Sequence, residues 1–264
     1  MFPKACTRTK IVLKHLPKKE NNKKRKLTME ERKYYDIVDE KEVTGAMDFP
    51  ALMRKVYVWM TLALVITGMT AYGVSTSPAI LQAIMTNQVL FWGLMIAEIG
   101  LVLWISAGIN KLSLTTATLL FILYSVINGV TMSFIFLAYT MTSIANVFFI
   151  TAGTFAAMAF IGYTTKADLS SMGKYLLMAL IGIIIASIVN IFLKNNMFEL
   201  IISVLGVLIF VGLTIYDTQK IKQMLQYQDG GEAAQKVALL GALSLYLDFI
   251  NLFLYLLRLF GRRE

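Results

Sequence analysis

From about residue 50 onward the chain alternates long apolar runs with short polar breaks. Seven runs approach or reach the roughly 20 residues that carry a helix across a ~30 Å hydrocarbon core. They cover residues 56–75, 89–108, 115–138, 143–164, 175–193, 198–217 and 237–258. Stretches such as LMALIGIIIASIVNIFL are apolar on every side, whereas a membrane barrel needs many segments of about ten residues alternating polar with apolar. Backbone groups in lipid have no water to bond, so helices are the remaining solution. The pattern predicts an all-α, polytopic membrane protein with seven transmembrane helices. Gly93, Ala97 and Gly100 in the second run, and Gly182 and Ala186 in the fifth, carry spacings that let backbones approach closely. Membrane helices are also rich in glycine without such a role.

Polar residues inside the runs fall on faces when placed at the 3.6-residue period. In the last run Ser244, Asp248, Asn251 and Tyr255 form one stripe, expected to face protein or water. Tyr124, Asn128 and Thr131 make a shorter stripe in the third, and Ser187 neighbours Asn190 in the fifth, so these helices are expected to build a polar interior. Asn and Thr alone are adequately explained as interhelical glue of roughly 0.6–2 kcal/mol.

The acids weigh more, because a carboxylate at a helix centre costs roughly 2.5–3.5 kcal/mol on insertion scales. Asp217 and Asp248 are the first candidates for a functional site, with Glu98 behind them, since a hydrogen bond to a neighbouring helix would suffice to explain that glutamate. Glu199 opens the sixth run and is expected among headgroups. Lys220, three residues after Asp217, offers an ordinary helix-end ion pair. That pairing accounts for Asp217 but not for Asp248.

Composition agrees with the pattern: 57% of residues are hydrophobic and 16% charged, both far from a soluble domain. The net charge of +9 would invite a nucleic-acid partner, yet residues 1–28 carry all of it, and residues 29–264 hold fifteen charges of each sign. Three regions follow: a basic tail over 1–28, an acidic juxtamembrane segment over 29–50, and a membrane domain over 51–262. The tail reads as disordered. It is either a lipid-surface anchor, at about 1 kcal/mol per cation near anionic lipid, or an upstream extension of the natural start. No cleavable signal peptide is expected.

Cys6 and His15 are single and lie in the tail, which excludes an intramolecular disulfide and multi-thiolate or three-histidine zinc chemistry. The chain has no Walker or GxGxxG motif, and a serine–histidine dyad would have to draw on His15. No cofactor and no enzymatic activity are expected. A retinal pigment would want a lysine in the seventh run, which has none within 237–258.

Loop charges set the orientation. With the N-terminus inside, the inner connections carry Lys111, Lys166, Lys174, Lys220, Lys222 and Lys236, and the outer ones only Lys194. This predicts a cytoplasmic N-terminus. Seven crossings then leave Arg258, Arg262 and Arg263 outside, against the rule.

The runs ALSLYLDFINLFLYLLRLFG, IYDTQKIK and GYTTKADLSSMGKYL, with AEIGLV and MRKVYVWM, resemble the Bax inhibitor-1 (transmembrane Bax inhibitor motif) family in a bacterial-type member, over about residues 50–262. The resemblance implies a last helix surrounded by the other six and a pH-sensitive calcium leak gated by two aspartates, here Asp217 and Asp248. Calcium is then the permeant ion, held transiently by that pair. Members carry an arginine near the inner end of the second helix that latches the sixth-helix aspartate. This chain reads SAGINKLS there, so Lys111 is the substitute, a point charge rather than a bidentate fork. Glu98, Asn251, Ser244, Asn128 and Tyr124 are the supporting polar residues. A bacterial inner membrane is the expected location, with the bilayer, calcium ions, protons and other membrane proteins as partners and no nucleic acid.

Two carboxylates at about 4 Å repel by roughly 4 kcal/mol at an effective dielectric of 20, so such a pair would share one proton. Two other readings stay open. One is a non-transporting scaffold that binds membrane proteases or cell-death proteins. The other is an intramembrane aspartyl protease, weakened because Leu245, Tyr246 and Leu247 stand where a GxGD context is needed.

Overall fold

The computed structural model describes residues 49–228 and 230–263. The basic tail and residues 29–48 of the acidic segment lie outside them. Among the described residues the helices are α1 (Phe49–Ser75), α2 (Pro78–Thr86), α3 (Gln88–Gly108), α4 (Leu114–Met132), α5 (Ile135–Ala138), α6 (Met141–Thr164), α7 (Ser170–Leu193), α8 (Asn196–Gln226) and α9 (Gly231–Phe260). Counting α4 and α5 as one span, seven are long and apolar enough to cross a membrane.

Several spans start on residues that satisfy the free amides of a first helical turn. The side chain of Asn87 accepts from Val89 and Leu90 at the start of α3, and Ser113 accepts from Thr116 at the start of α4. Asn195 does the same for Met197 and Phe198 in α8. The turn from α8 into α9 uses Gly230 and Gly231 at φ 94° and 76°, values that glycine adopts without a Cβ penalty.

Two boundaries differ from the hydropathy pattern. The sixth apolar run ends at Asp217, but α8 continues to Gln226. The added residues are mostly good helix formers, and Ile221 and Leu225 remain buried, so packing carries the helix beyond the apolar stretch. The loop STSPAILQAIMTNQ contains α2, which is too short to span. Its Leu81 and Ile84 pack with Val74 against Leu94, Val130 and Phe134.

The last helix is central. Fifteen of its residues are buried, and α8, α1, α6 and α4 pack around it. The expected ring of six is not complete. Helices α3 and α7 lie outside, packed chiefly on α4 and α8, each with one buried residue, Ile105 or Ile183. The fifth span therefore adds nothing to a polar interior: Ser187 donates to Ile183 O of its own helix (2.7 Å), and Asn190 Oδ1 accepts from Asn195 N (3.2 Å). Gly93, Gly100 and Gly182 face open space, and the close approaches fall elsewhere. A Cβ on Gly129 would meet Thr67 and Thr70 of α1, and one on Gly162 would run into the Ile215 carbonyl and Thr218 of α8.

The two ends of the bundle are tied differently. At the end where α1 begins, Lys55 Nζ donates to Gln235 Oε1 (3.1 Å), Leu114 N donates to Glu232 Oε1 (3.1 Å), and Lys222 Nζ donates to Tyr163 O (2.6 Å). At the other end Tyr139 and Arg263 form an antiparallel bridge, Arg262 N donates to Ser143 Oγ (2.8 Å), and Arg263 pairs with Glu199 (3.2 Å). The last helix thus crosses completely and finishes beside the α5–α6 connection. Glu199, expected among headgroups, has a protein partner.

Candidate functional site

The central helix carries polar groups on two sides. Tyr246 and Asp248 are two residues apart, about 200° around a helix of 3.6 residues per turn, so they point into different neighbours.

On the Asp248 side lies α8. The pair of helices is registered by two close approaches: Gly206 faces the Tyr255 ring, and Gly241 faces Ile221. Between these anchors Asp217 falls level with Ser244 and Leu245, leaving Asp248 three or four residues further along α9. At a 1.5 Å rise per residue the axial offset is about 5 Å, close to one turn. Asp217 is half-buried, Asp248 is 5% exposed, and the two carboxyls lie within Coulombic reach of each other. The cation felt by Asp217 is Lys220, whose ammonium also stands 5.7 Å over the Tyr216 ring. Asp248 Oδ2 is buried with no hydrogen-bond partner among the described residues. A buried oxygen left this way forfeits about 1–3 kcal/mol.

The predicted stripe on α9 holds together on this side. Ser244 and Asn251 are half-buried, Asn251 Nδ2 donates to Leu247 O (2.8 Å), and Tyr255 stacks on Phe210 at 5.8 Å. Lys111 is exposed in the turn after α3 and makes no ion pair among the described residues.

On the Tyr246 side the groups are satisfied. Tyr246 is fully buried and donates to Asn128 Oδ1 (2.9 Å). Its oxygen lies 2.7 Å from Thr67 Oγ1, which also reaches the Ser125 carbonyl at 2.9 Å. With the Tyr246 proton used on Asn128, the single Thr67 proton is shared between two acceptors. The rings of Tyr124 and Phe121 meet Tyr246 edge-on at 5.8 and 5.9 Å. Thr131 donates to Glu98 Oε1 at 2.6 Å, fixing α3 to α4. The stripe Tyr124, Asn128 and Thr131 thus serves this network, and Glu98 sits at its edge rather than with the aspartates.

Sequence reasoning missed Tyr246, Thr67 and Gln219. Tyr246 blends into an apolar run because its ring is apolar and only its hydroxyl is not. Gln219 was hidden in the same motif as Asp217. It accepts from Leu169 N (3.1 Å) and donates to Ala167 O (2.7 Å) and Thr165 O (3.3 Å), holding the α6–α7 connection against α8.

No group of three or more His, Cys, Asp or Glu that would cage a metal occurs among the described residues. Two carboxylates are too few for the six to eight oxygens of a resident calcium site.

The chain matches the model of the family described as inhibitor of apoptosis-promoting Bax1 over residues 50–264. It is 50% identical over 214 residues to the inner membrane protein YbhL of Escherichia coli K12, covering 80% of this chain and 92% of the relative. An uncharacterised protein of Borreliella burgdorferi is 49% identical over 213 residues, with 80% and 92% covered. One of Rickettsia prowazekii is 43% identical over 213 residues, with 80% and 89% covered.

Proposed function

This chain belongs to the Bax inhibitor-1 family of membrane proteins, and from that premise we propose that it is a pH-sensitive leak for calcium, gated by Asp217 and Asp248. The observation that carries the reading is Asp248: a carboxyl at mid-depth of the central helix, buried, within reach of a second acid, and with one oxygen unpartnered. Removing a proton from the pair adds like charge between α8 and α9, and the repulsion loosens their contact and turns carboxylate oxygens toward a passing hard cation. Protonation closes the path and deprotonation opens it.

The protein acts without a cofactor and is not an enzyme. It resides in a bacterial inner membrane, as the name of the Escherichia coli relative supports, with its N-terminus in the cytoplasm and the Lys222 end of the bundle on that side. The cation beside Asp217 supports Lys220, rather than Lys111, as its electrostatic partner. The test is calcium efflux from loaded proteoliposomes across pH. Wild type releases calcium faster as pH rises, and Asp217→Asn and Asp248→Asn each flatten that dependence. An unchanged profile in both variants rejects the gate, and absence of protein-dependent flux at any pH rejects the leak in favour of a scaffold.

A further inference from the structure

Helices α1 and α6 both pack on α9, yet they barely touch each other. The seam between them is an apolar groove of about 630 Å³ with the buried Phe155 and Phe249 on its floor and the exposed Phe148 and Ala156 on its rim. A second stretch of about 380 Å³ continues it, sharing Thr61, Leu64 and Phe148 and ending at Gly68 and Met141. From Arg54 to Gly68 the groove follows fourteen residues of α1, about 21 Å at 1.5 Å per residue. That exceeds the ~15 Å half-thickness of a ~30 Å hydrocarbon core.

Its two ends differ in chemistry. Arg54 is the charged residue of the lining and is exposed at the mouth. Lys222 stands nearby, 5.1 Å over the ring of Tyr163, which closes the same end. The rest of the groove carries no charged side chain. A cationic mouth on a long apolar slot complements an anion joined to a hydrocarbon chain.

We propose that the α1–α6 seam is a binding site for one anionic phospholipid, with its phosphate on Arg54 and an acyl chain laid over Phe148, Phe155 and Phe249. The chain would then press on the central helix at Phe249, the residue after Asp248. This assignment stands apart from the ion leak and holds whether or not the protein conducts calcium.

Native mass spectrometry of the delipidated full chain in detergent tests it, with phosphatidylglycerol and phosphatidylcholine of identical chains as probes. One phosphatidylglycerol is expected to bind more tightly than phosphatidylcholine. Arg54→Gln weakens phosphatidylglycerol about fivefold, as expected for one cation near an anionic headgroup, and leaves phosphatidylcholine unchanged. Ala156→Phe, which places a ring in the slot, weakens both lipids. Lys174→Gln, a cation at the same end but on α7, changes neither. Equal affinities for the two lipids in wild type, or wild-type binding by Arg54→Gln, overturn the headgroup site. A Lys174→Gln loss as large as that of Arg54→Gln means diffuse surface charge. Competition by glycerol phosphate at the lipid's own affinity means a free-phosphate site, and a co-purified polypeptide displaced by Arg54→Gln means a protein partner. Either overturns the proposal. Arg54 is exposed, so its variant remains informative if Ala156→Phe fails to fold.

Discussion

Tyr246 and Asp248 are neighbours on one helix, equally deep and nearly equally buried, and their surroundings have opposite character. Around Tyr246 every polar atom has a partner drawn from α1 or α4. On Asp248 a carboxylate oxygen has none among the described residues. Burial alone does not distinguish glue from a site. A closed network gains from low dielectric, and an unfinished one is penalised by it, so a polar group kept unfinished at this depth is best explained by what it does. The two sides should therefore respond to mutation in different observables.

The largest effect is expected from Asp248→Asn. It keeps the shape and removes the titration, so the ratio of calcium flux between pH 8 and pH 6 should fall to about one while the melting temperature is retained or raised. A fall in melting temperature with the flux ratio intact would move Asp248 to the structural class and erase the contrast.

Tyr246→Phe is the reverse experiment. It removes one hydroxyl and leaves Asn128 and Thr67 with a lost partner in a dry interior, at about 1–3 kcal/mol, though hydrogen bonds within membranes are often nearer 0.6. Thermal unfolding in detergent should register the loss, and the pH profile of flux should keep its midpoint. A shifted midpoint would join the two sides into one network.

The contrast was half legible in the sequence. Asp248 announced itself because a charge in an apolar run is visible to any hydropathy count, and the stripe through Ser244, Asn251 and Tyr255 gave its face. Tyr246 did not, since an aromatic ring raises apparent apolarity and hides its hydroxyl. The seven spans were readable for the same reason that lipid permits few backbones. Which spans surround the last one was not, because α3 and α7 are as apolar as the rest, and hydropathy cannot separate a lipid-facing residue from a buried one. The true end of α8 was also hidden, as amphipathic residues beyond Asp217 continue a helix on packing rather than on hydropathy. Lys220 was legible beside Asp217 from the i, i+3 spacing alone.

Glu98 tests where the satisfied network stops. Its side chain accepts from Thr131 at 2.6 Å, and it is only half-buried. Glu98→Gln preserves an acceptor for that hydroxyl, so unfolding should shift by less than about 1 kcal/mol, within the range measured for such bonds in membranes. Flux should keep its pH dependence. If Glu98→Gln flattens the profile as Asp248→Asn does, the acid on α3 belongs to the gate and the division of the molecule by the two faces of α9 fails.

Arg263→Ala sets the lower limit, at the wet end of the same helix. Its guanidinium pairs with Glu199 at 3.2 Å, and both side chains are substantially exposed. Exposed pairs contribute about 0.2–1 kcal/mol and weaken with salt. The end of α9 is held independently by backbone, through the Tyr139 bridge, Arg262 N on Ser143 and the Thr140 amide on the Arg262 carbonyl. Removing the charge should therefore lower stability by no more than about 1 kcal/mol, and 0.5 M salt should erase the difference from wild type. A salt-resistant loss above 2 kcal/mol would place this pair with Tyr246, as a contact whose partners cannot turn to water. The boundary between the satisfied interior and the solvated end of α9 would then lie beyond Arg263 rather than before it.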